Sequence, residues 1–341
     1  MPRISAPTDV VVRMTRTTIC GTDLHILGGR VPTCEPGRVL GHEGVGVVAA
    51  KGPGVMMFGI GDKVLISCIS ACGQCDRCRR LKYSRCLCGG WMLGHTIDGT
   101  QAEFVRIPFA DHSLYLLPDE ADEDALVMLS DVMPTAFECG VLGGQVQAGR
   151  TVAIIGAGPV GMAALLVAQL YAPAAIIVID MDEARLQIAV GLGATTTVDG
   201  LGGRARKAVV DLTRGRGVDT AIDTVGLPAS TALCRAIIGT GGRIASVADH
   251  AVAADRCLEH LWDRNITADS RLVDTISTLM LLNMVRSEKL DPSRLVTHHF
   301  KLDRIRDAYE TFAHSAATRA LKVIVEVPPP STDGRGLAGG S

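Results

Sequence analysis

A chain of 341 residues exceeds the usual size of one domain and suits two domains that share a cleft. Its 34 basic and 36 acidic residues leave a net charge of −2, so neither a nucleic-acid partner nor an anionic membrane surface is implied. With 47% hydrophobic and 21% charged residues the composition is globular, which excludes a chain disordered throughout.

The chain opens Met1-Pro2-Arg3-Ile4-Ser5 with no apolar run, so no secretory signal is expected and the reducing cytoplasm is the expected compartment. Short runs such as Val10–Val12, Val45–Val48 and Val64–Ile66 then alternate with glycine and proline, the pattern of an antiparallel, barrel-like sheet. From Gly149 the rhythm changes. Val152–Ile155 reads as a strand, Val160–Leu170 as a helix, Ile176–Ile179 as a strand and Asp182–Val190 as a helix stopped by Gly191 and Gly193. Thr195–Val198, Thr220–Ile222 and Arg243–Val247 read as strands, with helices at Arg204–Leu212 and Ala229–Ile238 between them. This alternation predicts an α/β fold with a doubly wound parallel sheet over residues 135–275. Thr151–Ile179 carries no charge and is long enough to span a bilayer, but Gly156-Ala157-Gly158-Pro159 and Ala172-Pro173 break it into strand, helix and strand, so no membrane partner is expected. Beyond Leu290 come a strand (Leu295–Phe300), a helix (Asp303–Ala313) and a strand (Leu321–Val327), and residues 328–341 read as a disordered tail.

Gly156-Ala157-Gly158-Pro159-Val160-Gly161 follows a strand and opens a helix, the context that makes a glycine pattern a dinucleotide fingerprint. The helix start offers free N–H groups and a positive dipole end to a pyrophosphate. Asp180 stands 19 residues past Gly161, where a carboxylate accepts hydrogen bonds from ribose hydroxyls and repels a 2′-phosphate. NAD is therefore expected over NADP. The bland reading is a tight strand–helix turn, with Asp180 capping the next helix.

Eleven cysteines, an odd number, argue for metal ligands before disulfides. Cys72, Cys75, Cys78 and Cys86 lie in a polar, glycine-bearing stretch, and four thiolates make a closed, structural zinc site. Cys88 could replace Cys86, and Cys68 is a spare; free thiols or a redox pair are the alternatives. Cys20, His42 and Asp131 form a scattered second set, and one Cys, one His and one carboxylate would hold zinc with an open fourth position. Read singly, they are equally a buried thiol, a turn histidine and the cap of the helix entering at Pro134.

Cys-Gly-Thr-Asp-x-His at 20–25, Gly-His-Glu-Gly-x-Gly at 41–46, the cysteine stretch and the glycine fingerprint occur in the order found in zinc-dependent medium-chain alcohol dehydrogenases, which the chain resembles over residues 5–327. The resemblance implies a GroES-like β-barrel domain of residues 1–134 and 276–327, with a zinc lobe near 68–90, and a Rossmann domain of 135–275 inserted between its pieces. Family members carry a further stretch ahead of Ala6-Pro7-Thr8-Asp9 that forms the first barrel strands, so the expectation is either a start assigned late or a barrel that tolerates an open edge. By the same resemblance, Cys20, His42 and Asp131 hold a catalytic zinc, an aspartate ligand occurring in bacterial secondary alcohol and formaldehyde dehydrogenase-like members. Glu43 matches a glutamate that approaches the metal, Asp23 one that orients the histidine, and Trp91 a tryptophan of the substrate pocket. Thr22 and His25 are implied to relay the alcohol's proton to solvent while hydride passes to NAD. Thr135, Lys322 and Arg185 are expected at the cofactor beside Gly156, Gly158, Pro159, Val160, Gly161 and Asp180. The implied substrate is a small alcohol, aldehyde or ketone. A homo-oligomer, tetramer or dimer, is expected, with Leu261–Thr267 a candidate for sheet pairing. A polyol or formaldehyde dehydrogenase-like enzyme and a zinc-stabilised NAD sensor without turnover are the rival readings.

Overall fold

The computed structural model describes residues 2–247 and 261–328. The expected tail lies outside the described residues except for Pro328. In chain order the first strands are β1 (Val10–Thr18), β2 (Gly44–Lys51), β3 (Lys63–Ile66), β4 (Phe104–Ile107) and β5 (Leu114–Leu116). There follow β6 (Thr151–Ile155), β7 (Ala175–Asp180), β8 (Thr196–Asp199), β9 (Val218–Asp223), β10 (Ile238–Ser246) and β11 (Thr267–Ser270), then β12 (Val296–Lys301) and β13 (Lys322–Glu326).

One sheet runs β12-β13-β1-β2-β3-β5, with β4 paired to the first half of β1. The C-terminal strands therefore rejoin the N-terminal barrel, Thr18 pairing with Ile324. Val10, Val12, Met14, Val64, Ile66, Val105 and Ile107 fill its interior. The other sheet runs β11-β10-β9-β6-β7-β8, all parallel, so the two halves wind outward from β6 and β9 and leave a switch point at the C-terminal end of β6.

Both faces of the parallel sheet are covered, which explains why its strands are apolar without alternation. Val152 and Ile154 belong to one core and Ala153 and Ile155 to another. The helix Pro159–Ala168 is buried on nearly all sides, the reason its sequence lacks a polar face. Among the described residues no helix is long and apolar enough to cross a membrane.

Two connections join the barrel to the parallel sheet. The outgoing one is the helix Val132–Thr135 followed by a π-helical stretch, Ala136–Leu142. The returning one precedes the helix Thr278–Arg286. Buried Glu138 ties them together, its carboxylate accepting from the N–H groups of Asp274 (2.9 Å) and Ser277 (2.8 Å) and from Ser277 Oγ (2.6 Å). Asp274 in turn accepts from the N–H and Oγ of Ser84 in the cysteine stretch. The segment Leu261–Thr267, expected to pair between sheets, is mostly a turn; the edge strand itself is Thr267–Ser270.

Candidate active site and metal centres

Cys20, His42 and Asp131 come from three places: the end of β1, the residues before β2, and the start of the outgoing helix. The fold brings their donor atoms within 4.8 Å of one another. His42 Nε2 lies 3.2 Å from Asp131 Oδ2, close to the roughly 3.3 Å edge of a tetrahedron with 2.0 Å metal–ligand bonds. His42 Nδ1 faces Asp23 Oδ1 at 3.9 Å, which directs Nε2 to the cluster. Asp23 is buried, accepts from the Cys20 N–H (2.9 Å) and Gln101 Nε2 (3.0 Å), and its Oδ1 has no hydrogen-bond partner. Tyr309 donates to Gln101 Oε1 at 2.7 Å, so a chain from the C-terminal segment fixes the acid behind the histidine.

Burial opposes ionisation of Asp131, but the hydrogen bond and charge of His42, with the Thr135 hydroxyl, hold its carboxyl down at about 2. Burial likewise opposes a charged His42, yet Asp131 and Cys20 raise its proton affinity well above the usual histidine range. A site that draws a proton so strongly is one whose anionic donors call for a cation. The donor set, one thiolate, one imidazole and one carboxylate with room for a fourth ligand, fits zinc.

Thr22 lies next to the cluster, its Oγ1 3.8 Å from Cys20 Sγ, on the helix Gly21–Leu27. His25 is one turn further along it and its buried Nδ1 has no partner. Glu43 accepts from Thr18 Oγ1 and from Lys322 Nζ, while its buried Oε1 is unpaired. Lys322 is 1% exposed, its ammonium donating to Glu43 and Thr18. Thr135 gives its hydroxyl to Asp131 Oδ1 at 2.6 Å and so steadies the carboxylate of the cluster. Arg185 donates to Ser315 Oγ (2.6 Å) and lies 3.7 Å from Asp182.

The cysteine stretch closes on itself. Cys75 and Cys78 sulfurs are 3.5 Å apart, Cys72 and Cys78 3.9 Å, and Cys75 and Cys86 4.0 Å, against an edge of about 3.8 Å for a tetrahedral zinc with 2.3 Å bonds to sulfur. The backbone N–H groups of Leu87 and Cys78 lower the Cys75 thiol to about 6, favouring the ligating thiolate. Cys86 completes the cluster and Cys88 stays outside it, exposed. Cys68 is elsewhere: its thiol donates to Asp131 Oδ1 at 3.4 Å, beside the other cluster.

At the glycine turn, Gly156 has φ +99, and a Cβ on Gly161 would stand 1.8 Å from the Gly156 carbonyl oxygen. Gly158, at the helix start, has nothing within 4 Å of its Cβ position, which leaves the approach open for a pyrophosphate. Asp180 holds this turn directly, accepting from the Ala157 N–H at 2.6 Å and from those of Met181 and Asp182.

Residues 6–119 match the family model of the alcohol dehydrogenase GroES-like domain, and residues 159–273 match that of zinc-binding dehydrogenases. An alcohol dehydrogenase of Cupriavidus necator is 33% identical over 333 residues, covering 90% of this chain and 89% of its own. The chain belongs to the zinc-dependent medium-chain alcohol dehydrogenases. Among solved structures of the family, zinc-dependent alcohol dehydrogenase 2 from Streptococcus pneumoniae superposes with a TM-score of 0.91 at 48% identity, over 96% of this chain and 93% of that one. The alcohol dehydrogenase of Thermus sp. ATN1 superposes at 0.88 with 34% identity, over 96% and 94%. As a member, the protein is a zinc-dependent oxidoreductase acting on alcohols with a nicotinamide cofactor.

Proposed function

We propose that this enzyme oxidises small primary or secondary alcohols reversibly with NAD at the Cys20, His42 and Asp131 cluster, and that a second zinc in the four-cysteine lobe serves the fold. The observation that carries this is the convergence of three donors from distant segments, with the Thr22 hydroxyl beside them. Zinc bound there supplies Lewis-acid polarisation of the hydroxyl, and bound nicotinamide supplies the hydride acceptor. Thr22 Oγ1 accepts the alcohol's hydroxyl proton as it releases its own into a hydrogen-bonded relay, and His25 Nδ1, buried and unpartnered one turn on, takes a proton from that relay toward solvent. Asp23 and Gln101 keep Nε2 of His42 on the cluster. Glu43 keeps one oxygen free while Lys322 offsets its charge. Asp180 favours NAD because its carboxylate repels a 2′-phosphate.

A homo-oligomer formed through β11 fits that strand's place at the edge of the sheet, with no outer partner among the described residues, and the exposed Trp262 in the turn before it. Four ligating thiols in one stretch fit a reducing compartment, the cytoplasm.

The test is metal analysis joined to cofactor reduction over a panel of primary, secondary and polyol substrates. About two zinc ions per chain and faster turnover with NAD than NADP are expected; an unmodified protein preferring NADP would overturn the Asp180 assignment. Thr22→Val keeps size but breaks the relay at its first link, lowering kcat about 10²- to 10⁴-fold while cofactor still binds. Near-normal oxidation at neutral pH by that variant would leave the hydroxyl a mere turn group. A protein that binds zinc and NAD but turns over no alcohol would instead be the sensor.

A further inference from the structure

We propose that His95 is a positioning residue that sets the size of the accepted alcohol, by holding the indole of Trp91 beside the Cys20, His42 and Asp131 cluster; the inference rests on the function proposed above. The Trp91 and His42 ring centroids are 6.3 Å apart with planes at 77°, so the indole stands edge-on to a ligand of the cluster. Around it pack Cys68, Ile69, Cys139 and Val273, and Cys68 reaches Asp131. This apolar wall is where the carbon substituents of a molecule whose oxygen sits at the cluster must lie.

Trp91 belongs to no regular strand or helix, so its own backbone does little to fix the ring. His95 does so in two ways. Its imidazole stacks on the indole, centroids 4.3 Å apart and planes within 22°, covering one face. Its Nδ1 lies 3.1 Å from the Trp91 carbonyl oxygen, and a carbonyl only accepts, so Nδ1 carries the proton. Its Nε2 lies 2.7 Å from the Thr33 hydroxyl, a second hydrogen bond on the other side of the ring. Thr33 lies in the 28–39 segment between the helix bearing Thr22 and the loop bearing His42, so His95 links that segment to the wall. Cys34 Sγ, 3.8 Å from the Gly94 carbonyl oxygen, makes a second link between the same two segments.

Without the imidazole, the indole is free to swing into the vacated space, and the wall retreats from the cluster. Small alcohols then lose contact and bulky ones gain room. Because the ligands and Thr22 are untouched, the change falls on KM and on selectivity more than on kcat for the small substrate.

The experiment uses the zinc-loaded full chain carrying Trp262→Phe, which leaves Trp91 as the sole tryptophan of the two in the sequence. His95→Ala, His95→Phe and Thr33→Val are compared in that background for zinc content, indole emission, acrylamide quenching, and kcat and KM for 2-propanol and cyclohexanol. His95→Ala is expected to change the emission and to open Trp91 to acrylamide. It should raise the 2-propanol KM about tenfold with little change in kcat, and shift selectivity toward cyclohexanol. His95→Phe keeps a stacked ring but loses both hydrogen bonds, and Thr33→Val loses one; both should shift selectivity the same way by less. They carry the test if His95→Ala does not fold. Unchanged acrylamide access with unchanged selectivity overturns the proposal, as does a change in either one without the other. If the parent protein oxidises no alcohol in the panel, the earlier reading fails, and emission and quenching still decide whether His95 holds Trp91.

Discussion

The two candidate metal clusters differ in donors, four sulfurs in one and a sulfur, an imidazole and a carboxylate in the other, and are assembled by opposite routes. In the cysteine lobe all four sulfurs come from residues 72–86, and the apolar residues around them amount to Ala71, the cysteines and Tyr83. In the other cluster His42 and Asp131 are 89 positions apart, and both are held by side chains independent of any ion: buried Asp23 with half-buried Gln101 and Tyr309 behind His42, and half-buried Thr135 on Asp131. Apart from the hydrogen bonds of Ser84 to Asp274, the lobe has few side-chain contacts to order it, whereas the barrel and its connections preassemble the other cluster. A metal in the lobe would then contribute mainly to folding, and one in the other cluster mainly to chemistry.

The sharpest way to break this contrast is His42→Ala. Turnover should fall by about 10³-fold or more, the scale of losing Lewis-acid assistance worth several kcal/mol. The variant should keep its circular dichroism spectrum, bind NAD and retain one zinc per chain, that of the lobe. Loss of both ions on this single change would mean that the clusters are not independent, and metal analysis decides it.

Cys75→Ser is the converse. Removing one of four thiolates should lower zinc content by one and the melting temperature by roughly 5–10 °C, while the folded fraction keeps most of its kcat. Asp274 is the route by which damage could spread, since it binds Ser84 within the lobe and its own backbone N–H is held by Glu138 on the π-helical stretch that follows Asp131. A Cys75→Ser protein that is well folded but inactive would show that this route carries more than stability.

The same contrast governs what could be read from the sequence. The cysteine cluster is legible from spacing except for its fourth member, Cys86 or Cys88, because its cysteines are neighbours in a glycine-bearing polar stretch. The parallel sheet was legible for a similar reason: each strand–helix unit is local, and predicted spans such as Ile176–Ile179 fall inside the observed strand. Cys20, His42 and Asp131 carried no such local signal and stood out only through the family resemblance. Their supports were invisible. Gln101 reaches Asp23 across 78 positions and Tyr309 reaches Gln101 across 208, and no motif marks either residue. The resemblance puts Lys322 and Thr135 near the cofactor, and no local signal tells that their polar atoms also bond Glu43 and Asp131. Glu138 was a lone acid in an apolar run, a signal that a buried carboxylate needs donors, yet the sequence does not say that they come from residues 274–277.

The smallest expected effect sharpens the contrast most finely, because it asks whether proximity in sequence is enough to make a ligand. Cys86 and Cys88 are two residues apart and equally compatible with the spacing, but their surroundings differ. Cys86 is buried and its sulfur accepts from the backbone N–H groups of both Cys72 (3.3 Å) and Cys88 (3.4 Å), the environment of a thiolate. Cys88 is exposed, and desolvation together with the neighbouring sulfurs of Cys72, Cys86 and Cys75 pushes its thiol above the usual range, which disfavours ligation. It serves the cluster through its backbone, which a side-chain change leaves in place. Cys88→Ser should therefore keep full zinc content and change stability by less than about 0.5 kcal/mol, the range of an exposed substitution. Cys86→Ser should lose one zinc and melt earlier, as Cys75→Ser does. If instead Cys88→Ser released the ion and Cys86→Ser retained it, the fourth ligand would have to be reassigned, and the backbone N–H bonds to the Cys86 sulfur would lose their interpretation as thiolate contacts.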